Sequence, residues 1–519
     1  MPGLVTRKFR LHNAEQFYEA FSEAALSTIY MFIGRVTPWS NENSPDTPTD
    51  TVSNTEYEHW RSMIAAKRVQ ASDVTFTIAR YNWVNNTVYR QYKSNVSTLF
   101  DVPANSNTFY AVSSDFSVYK CLFNNKGAAS TVEPTGTSTS TLVTADGYKW
   151  KFMYKINAAD ALKFATTNYI PVKTLTANDG SAQWPVQQAA ANGALNIIDV
   201  TAGGTNYLTN VGTLAGVSNS TVITLASGAS GTDNIYNGSA VYIASGLGSG
   251  QVRSIVDYTG SSKAVRVSTP FSPSPNTSST YIVSPKITIT GDGESATAYC
   301  NVASGAVNYI NPITPGVNYS KATVTISANT SHGSGATAVA QISPPGGHGS
   351  DPVGELGGYN VMLNIQLSGS EGNTFPTSND FRILGLVKDP TLAANGSVAL
   401  ASTYDQTTQL VLTSVSDGGR FDADELIAGG TTTATARVVS FANTNSGNTA
   451  GVLRVVSANA VFAAAETITG NTSGVTATIG SITYGSLTPF SGEVIYIENR
   501  PAVQRASDQI EDVKIVVKF

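Results

Sequence analysis

The segments ELIAGGTTTATARV (Glu425–Val438) and ETITGNTSGVTATI (Glu466–Ile479) carry one pattern twice. At a constant offset they share Glu425/Glu466, Ile427/Ile468, Gly429/Gly470, Thr431/Thr472, Thr435/Thr476 and Ala436/Ala477, with Phe421/Phe462 upstream. Each copy reads as a strand, a glycine turn and a second strand, because β-branched residues flank positions that tolerate a tight turn. Two copies are too few for a solenoid, so the expectation is a small sandwich or barrel made by pairing them. Such a hairpin module sits readily in a loop of a larger fold, since closing a longer loop adds little entropic cost.

A second repetition lies upstream. VTAGGTNY (Val200–Tyr207) resembles ITPGVNY (Ile313–Tyr319), each a strand end running into a glycine turn that closes on Asn-Tyr. GESATAYCNV (Gly293–Val302) aligns without gaps on GSGATAVAQI (Gly333–Ile342). Only 13% of the 519 residues are charged, and 45 are glycine. Long amphipathic helices would need more Glu, Lys, Leu and Arg, so the composition predicts a mainly β protein of many short strands. Its length allows more than one core.

The first 180 residues have a different texture and hold Trp39, Trp60, Trp83 and Trp150. Two helices are predicted here. Asn13 would cap the first, with Gln16 as reciprocal partner and Phe17, Phe21 and Ala24 or Ala25 on one face. Thr55 and Glu58 would box the second, with Tyr57, Trp60 and Ile64 as its apolar stripe and Lys67 and Arg68 in the last turn. Strands are expected at Thr28–Ile33, Val74–Ala79, Val118–Phe123 and Trp150–Ile156. Between the first strand and the second helix, GRVTPWSNENSPDTPTD (Gly34–Asp50) reads as an extended surface loop carrying Trp39. That indole needs a surface to lie against, in its own domain or on a partner.

At the other end, Glu493–Asn499 alternates as a strand that ends in a polar turn at Asn499-Arg500-Pro501, since Pro501 lacks an N–H for pairing. Val513–Phe519 reads as the last strand. Arg500 has a guanidinium suited to Glu493, Glu498 or a partner's carboxylate.

Catalytic patterns are wanting. His12, His59, His332 and His348 are scattered, without metal-ligand spacing, and are expected to be structural or solvent-exposed. The acidic groups at Asp292–Glu294 and at Asp422, Asp424 and Glu425 read as solvated turn carboxylates, with calcium ligation as the alternative. Glycine-rich runs lack the lysine of a phosphate loop. Cys121 and Cys300 are expected as buried, unbridged thiols. No cofactor or metal is expected, and the chain is not expected to be an enzyme. The net charge of −5 argues against nucleic acid as a partner. No apolar run is long enough for a membrane span, and the N-terminus lacks a secretory pattern, so assembly in a cytoplasm is expected.

SGEVIYIENRPAVQRASDQIEDVKIVVKF (Ser491–Phe519) closely resembles the end of the gene-eight baseplate wedge subunits of T-even-like contractile-tailed phages. FIGRVTPWSNEN (Phe32–Asn43), DGYKWKFMYKI (Asp146–Ile156) and FRILGLVKDP (Phe381–Pro390) resemble further segments of that family in the same order, with Asp389 where the family has Asn. The resemblance covers about half the chain. It implies a layered β-sandwich scaffold with two helices in loops, a virion location in the tail baseplate, a homodimer, and contacts to other wedge proteins. The interface residues expected on this reading are Arg35, Trp39, Asn41, Glu42, Glu498, Asn499 and Arg500. The chain is then divided into scaffold at 1–184, 351–395 and 488–519, with an inserted Gly/Thr-rich β region at 185–350 and the hairpin-repeat module at 396–487. A glycan-binding or host-recognition module of a tail fibre is the alternative, with surface glycan as the ligand of the inserts. A polysaccharide depolymerase is the enzymatic rival.

Overall fold

In a computed structural model, which describes residues 3–22, 27–96, 100, 108–327 and 333–519, the strand Ile29–Gly34 is buried at every position. It belongs to the first of two compact units, Met1–Thr77 with Tyr359–Phe519; the second is Ile78–Gly358. Five strands form a sheet in the order Thr403–Asp405, Met63–Arg68, Ile29–Gly34, Phe381–Lys388, Glu493–Val503. Side chains alternate across it. Met31, Ile33, Leu384 and Leu386 face a core shared with Val361, Leu363, Ile365, Val513 and Ile515. Those residues come from the strands Asn360–Ser368 and Ile510–Lys518, which pair in a second sheet with Val74–Ala79. Tyr30, Phe32, Ile383 and Val387 face the other way, into a layer built by Trp39, Trp60, Ala399 and Leu487. A strand covered on both faces reads as a continuous apolar run, which is what IYMFIG is.

The repeated hairpins close a six-stranded barrel, ordered Thr408–Thr413, Gly451–Val456, Thr435–Asn443, Leu426–Gly429, Thr467–Gly470, Thr476–Thr483. The two copies pair directly, with Ile427 opposite Gly470 and Gly429 opposite Ile468. Equivalent residues fill its core: Ile427 with Ile468, Ala436 with Ala477, Phe421 with Phe462. Glu425 is not solvated as expected but buried, and so is Glu466. Glu425 accepts hydrogen bonds from the amides of Thr472 and Ser473, and Glu466 from those of Thr431 and Thr432. Each carboxylate therefore caps the glycine turn of the other copy. A Cβ on Gly429 would lie 2.6 Å from Glu466, and one on Gly470 2.6 Å from Glu425, so this exchange requires both glycines.

Among its described residues the second unit holds four groups of strands, one of them the pair Lys286–Gly291 and Ala322–Ser327. Tyr110–Val112, Ser117–Phe123, Lys149–Lys155 and Leu142–Val143 form a four-stranded sheet over an aromatic core of Tyr89, Tyr119, Tyr148, Trp150 and Phe152. A seven-stranded sheet is drawn from residues 210–284. The upstream repeat forms a sheet ordered Glu294–Ala303, Ala306–Val317, Ile197–Thr205, Ser334–Gln341, so equivalent strands occupy equivalent places. Tyr207 and Tyr319 are both buried, each after an asparagine with positive φ (61° and 63°). Cys121 and Cys300 are buried free thiols, and burial raises both pKa values, Cys300 to about 11.

The mainly β class matches expectation; several local details do not. The first helix runs Arg7–Glu19 and is capped by Thr6, whose hydroxyl accepts from Phe9, so Asn13 is interior. Its stripe still packs inward, with Phe17 5.1 Å from Phe21 and 5.5 Å from Phe519. Ala24 and Ala25 lie outside the described residues, as does His332. The second helix is cut short. A wide turn at Ser53–Glu58 leads into His59–Ser62, and Met63 begins a strand. Pairing with Ile29–Gly34 overrides the helical spacing: Trp60 is buried, Tyr57 is exposed, and Lys67 bonds Glu371 at 2.8 Å. Three further short helices, Ala158–Phe164, Gln183–Gln188 and Pro352–Leu356, carry too few turns to show a period. Pro501 does not end its strand, which runs to Val503. The register slips between the pairs Ile383↔Asn499 and Phe381↔Val503, and the missing N–H falls within that irregularity on an edge strand. Among the described residues, no helix is long and apolar enough to cross a membrane.

Candidate functional site

The loop Gly34–Asp50 leaves the central strand at Arg35, a non-glycine residue with φ of 57°. That turn sends the chain across the sheet to its outer edge strand, Glu493–Val503. Trp39 lies buried at the junction, and its indole N–H donates to the Arg500 carbonyl at 2.7 Å. The Arg35 guanidinium stacks on the indole at 3.7 Å from the ring centre. Burial lowers the Arg35 pKa from its ordinary value.

Glu42 is the knot of this joint. Its Oε1 accepts from the Trp39 amide at 2.9 Å and from Arg382 Nε at 2.7 Å, and its Oε2 accepts from the Ala502 amide at 3.2 Å. Desolvation would raise its pKa, but Arg382 and the two amides outweigh that and hold the carboxyl below its usual range. Arg382, almost fully buried, also donates to the Val36 carbonyl at 2.6 Å and makes a bidentate pair with Asp380 at 2.6 and 3.0 Å. Loop, central sheet and edge strand thus share one ionic centre.

Around it, Asn499 donates to the Asp46 carbonyl at 2.7 Å, and Arg500 pairs with Glu498 at 3.2 Å. Glu498 also accepts from Tyr496, whose hydroxyl pKa is pushed up to about 12 by burial and by that carboxylate. Asn41 is exposed and accepts from the Asn43 amide in a local turn. Six of the seven expected residues, Arg35, Trp39, Glu42, Glu498, Asn499 and Arg500, therefore meet in one joint. Trp39 spends its indole inside the chain, whereas Asn41 faces outward and Glu498, Asn499 and Arg500 are half-buried. Arg382 and Asp380 were not picked out from the sequence. A single arginine inside the apolar run FRILGLV was the available sign, because an arginine at a buried position needs a partner.

These side chains tie distant segments of backbone together, and the fold they close is a layered β scaffold with a barrel set into it. Comparisons with known proteins find likenesses over part of the chain. Residues 3–130 match the Phage-Gp8 family, described as Bacteriophage T4, Gp8. Over 204 residues the chain is 26% identical to the baseplate wedge protein gp8 of Enterobacteria phage T4, a match that covers 33% of this chain and 60% of that protein. Over these stretches the chain is similar to the gp8 baseplate wedge family, in agreement with the resemblance read from its motifs.

Proposed function

We propose that this chain is a structural component of the baseplate wedge of a contractile phage tail, acting through a homodimer and through contacts with other wedge subunits. One observation carries the reading. The stretch that matches the gp8 family contains Ile29–Gly34 and the whole Gly34–Asp50 loop, the parts on which the ionic joint and the central sheet are built. The outward members of that joint, Glu498, Asn499 and Arg500, together with the exposed Asn41 beside it, are the surface proposed to meet partners. A buried joint holds such a surface rigid, which lowers the ordering entropy lost on assembly.

The barrel and the strands between residues 197 and 341 are proposed as attachments to this scaffold. Each leaves and re-enters the chain at neighbouring points. The Ser486 amide donates to the Asp405 carbonyl at 2.9 Å around the barrel, and Ile197 pairs with Gln341 across the other module. Replacing residues 408–483 by a short Gly-Ser turn should leave a folded dimer by multi-angle light scattering. Monomer or aggregate would sink both the dimer surface and the attachment reading. Incorporation of the full chain into wedges reconstituted with the other baseplate subunits tests the assembly role itself.

A further inference from the structure

A tight turn at residues 488–491 spends backbone strain on an aromatic ring. Pro489 and Phe490 occupy its centre, and the Ser491 amide donates to the Thr488 carbonyl at 3.2 Å. Phe490 has φ of 64°, a left-handed conformation that suits glycine or asparagine and is an outlier for a bulky side chain. The Ser491 hydroxyl clamps the turn, donating to the Thr488 carbonyl at 2.7 Å and accepting from the Thr391 amide at 3.0 Å. The ring fixed in this way is not buried. Phe490 is 48% exposed and meets Tyr57, itself 44% exposed, edge to face at 5.2 Å. Val52, also exposed, stands at the start of the turn Ser53–Glu58 that carries Tyr57. A strained aromatic displayed at the surface marks a binding face rather than a core.

This patch has an acidic border. Residues 50–58 include Asp50, Glu56 and Glu58 and no lysine or arginine, and all three carboxylates are exposed. A surface of the opposite kind lies in the same chain. Residues 4–10, LVTRKFR, contain no carboxylate. Leu4 is 87% exposed, and Val5, Lys8, Phe9 and Arg10 are exposed as well. The helix Arg7–Glu19 is anchored further along, where Ala14 is buried and Phe17 and Tyr18 pack on Phe519 and Phe76. Its first turn therefore stands off the scaffold with aliphatic and basic side chains uncovered. The two surfaces match in apolar character and in sign of charge, and within one copy each is left open.

We propose that residues 4–10 of one copy dock on the Val52, Tyr57 and Phe490 patch of a second copy, with Lys8 facing Glu56. Each copy carries both halves, so a two-fold pair makes the contact twice. The turn Ser53–Glu58 lies against the edge strand Glu493–Val503, so the patch continues the partner face at Glu498 and Arg500. This contact gives the proposed homodimer its surface and rests on that reading.

Multi-angle light scattering over a dilution series of the full chain, with the melting temperature as a check on folding, tests it. Phe490→Gly removes the ring and relieves the strain, and Phe9→Ser removes an exposed ring from the other half. Each should raise the dimer dissociation constant about tenfold or more and leave the melting temperature little changed. Glu56→Lys should also weaken the dimer, and adding Lys8→Glu should restore part of the affinity, a rescue that a structural role of either residue would not produce. A wild-type dimer that keeps its affinity in Phe490→Gly and Phe9→Ser, or a charge swap without rescue, overturns the proposed contact and leaves the homodimer reading standing. A wild type that stays monomeric throughout overturns both. Where Phe490→Gly fails to fold, Phe9→Ser decides.

Discussion

The barrel and the five-stranded sheet lie in the same unit yet are held together in opposite ways. All six barrel strands come from Thr408–Thr483, and each Glu of the repeat closes the turn of its twin within the barrel. The sheet gathers strands from Ile29 to Val503, and its polar tie, Glu42 with Arg382 and the Ala502 amide, joins three segments hundreds of residues apart. Local closure makes the barrel a module that can be gained by insertion. Long-range closure makes the sheet a scaffold that depends on every segment arriving.

Removing Arg382 should produce the largest effect. Arg382→Met strands Asp380 beside Glu42 without their cation, and loss of one member of a buried ionic centre costs about 3–5 kcal/mol. In hydrogen exchange, the sheet amides of Ile29–Gly34 and Phe381–Lys388 should lose protection while the barrel strands keep theirs. Equal loss in both would show that the two regions are one cooperative unit.

Glu425→Gln and Glu466→Gln should each cost about 1–2 kcal/mol, because each leaves the partner copy's turn amides with a weaker acceptor. The two costs should be alike, since the contacts are equivalent, and both should appear in the barrel alone by the same exchange measurement. Acid should erase the Glu466 difference. Desolvation works to raise the Glu466 pKa, but the amides of Ala463, Thr431 and Thr432 and the Thr432 hydroxyl outweigh it and hold it below the ordinary 4.5. Its contribution is therefore complete above about pH 4.5 and is lost as pH falls through the lower folded value. Denaturant melts of wild type and Glu466→Gln should converge over that range, and a gap that persists below it would contradict the capping role. The smallest effect is expected from Trp39→Phe, which removes the 2.7 Å bond to the Arg500 carbonyl while keeping most of the packing, at about 1 kcal/mol.

The same contrast decides what could be read in the sequence. The barrel was legible because its determinants are local: glycine turns, alternating Ile and Thr, and a shared glutamate. The role of that glutamate was misread, since a carboxylate in a polar turn looks solvated until the second copy is folded against it. Most strands of the scaffold were legible as apolar runs, yet Met63–Arg68 was taken for the end of a helix. Its Trp60 and Ile64 spacing fits both periods, and only pairing with Ile29–Gly34 selects the strand. Among the seven interface candidates, Trp39 and Arg500 were chosen because aromatic and arginine side chains are favoured interface anchors, and six of the seven converge on one joint. Arg382 at its centre went unnamed because neither periodicity nor spacing points from residue 382 to residue 42.

A density map of assembled baseplates tests the central claim most directly. The account predicts this chain in the wedge as a pair of copies, with the Glu42–Arg382 joint intact and Asn41, Glu498 and Arg500 facing a neighbouring protein. A map with the chain outside the baseplate, or with that face open to solvent in every copy, would contradict it.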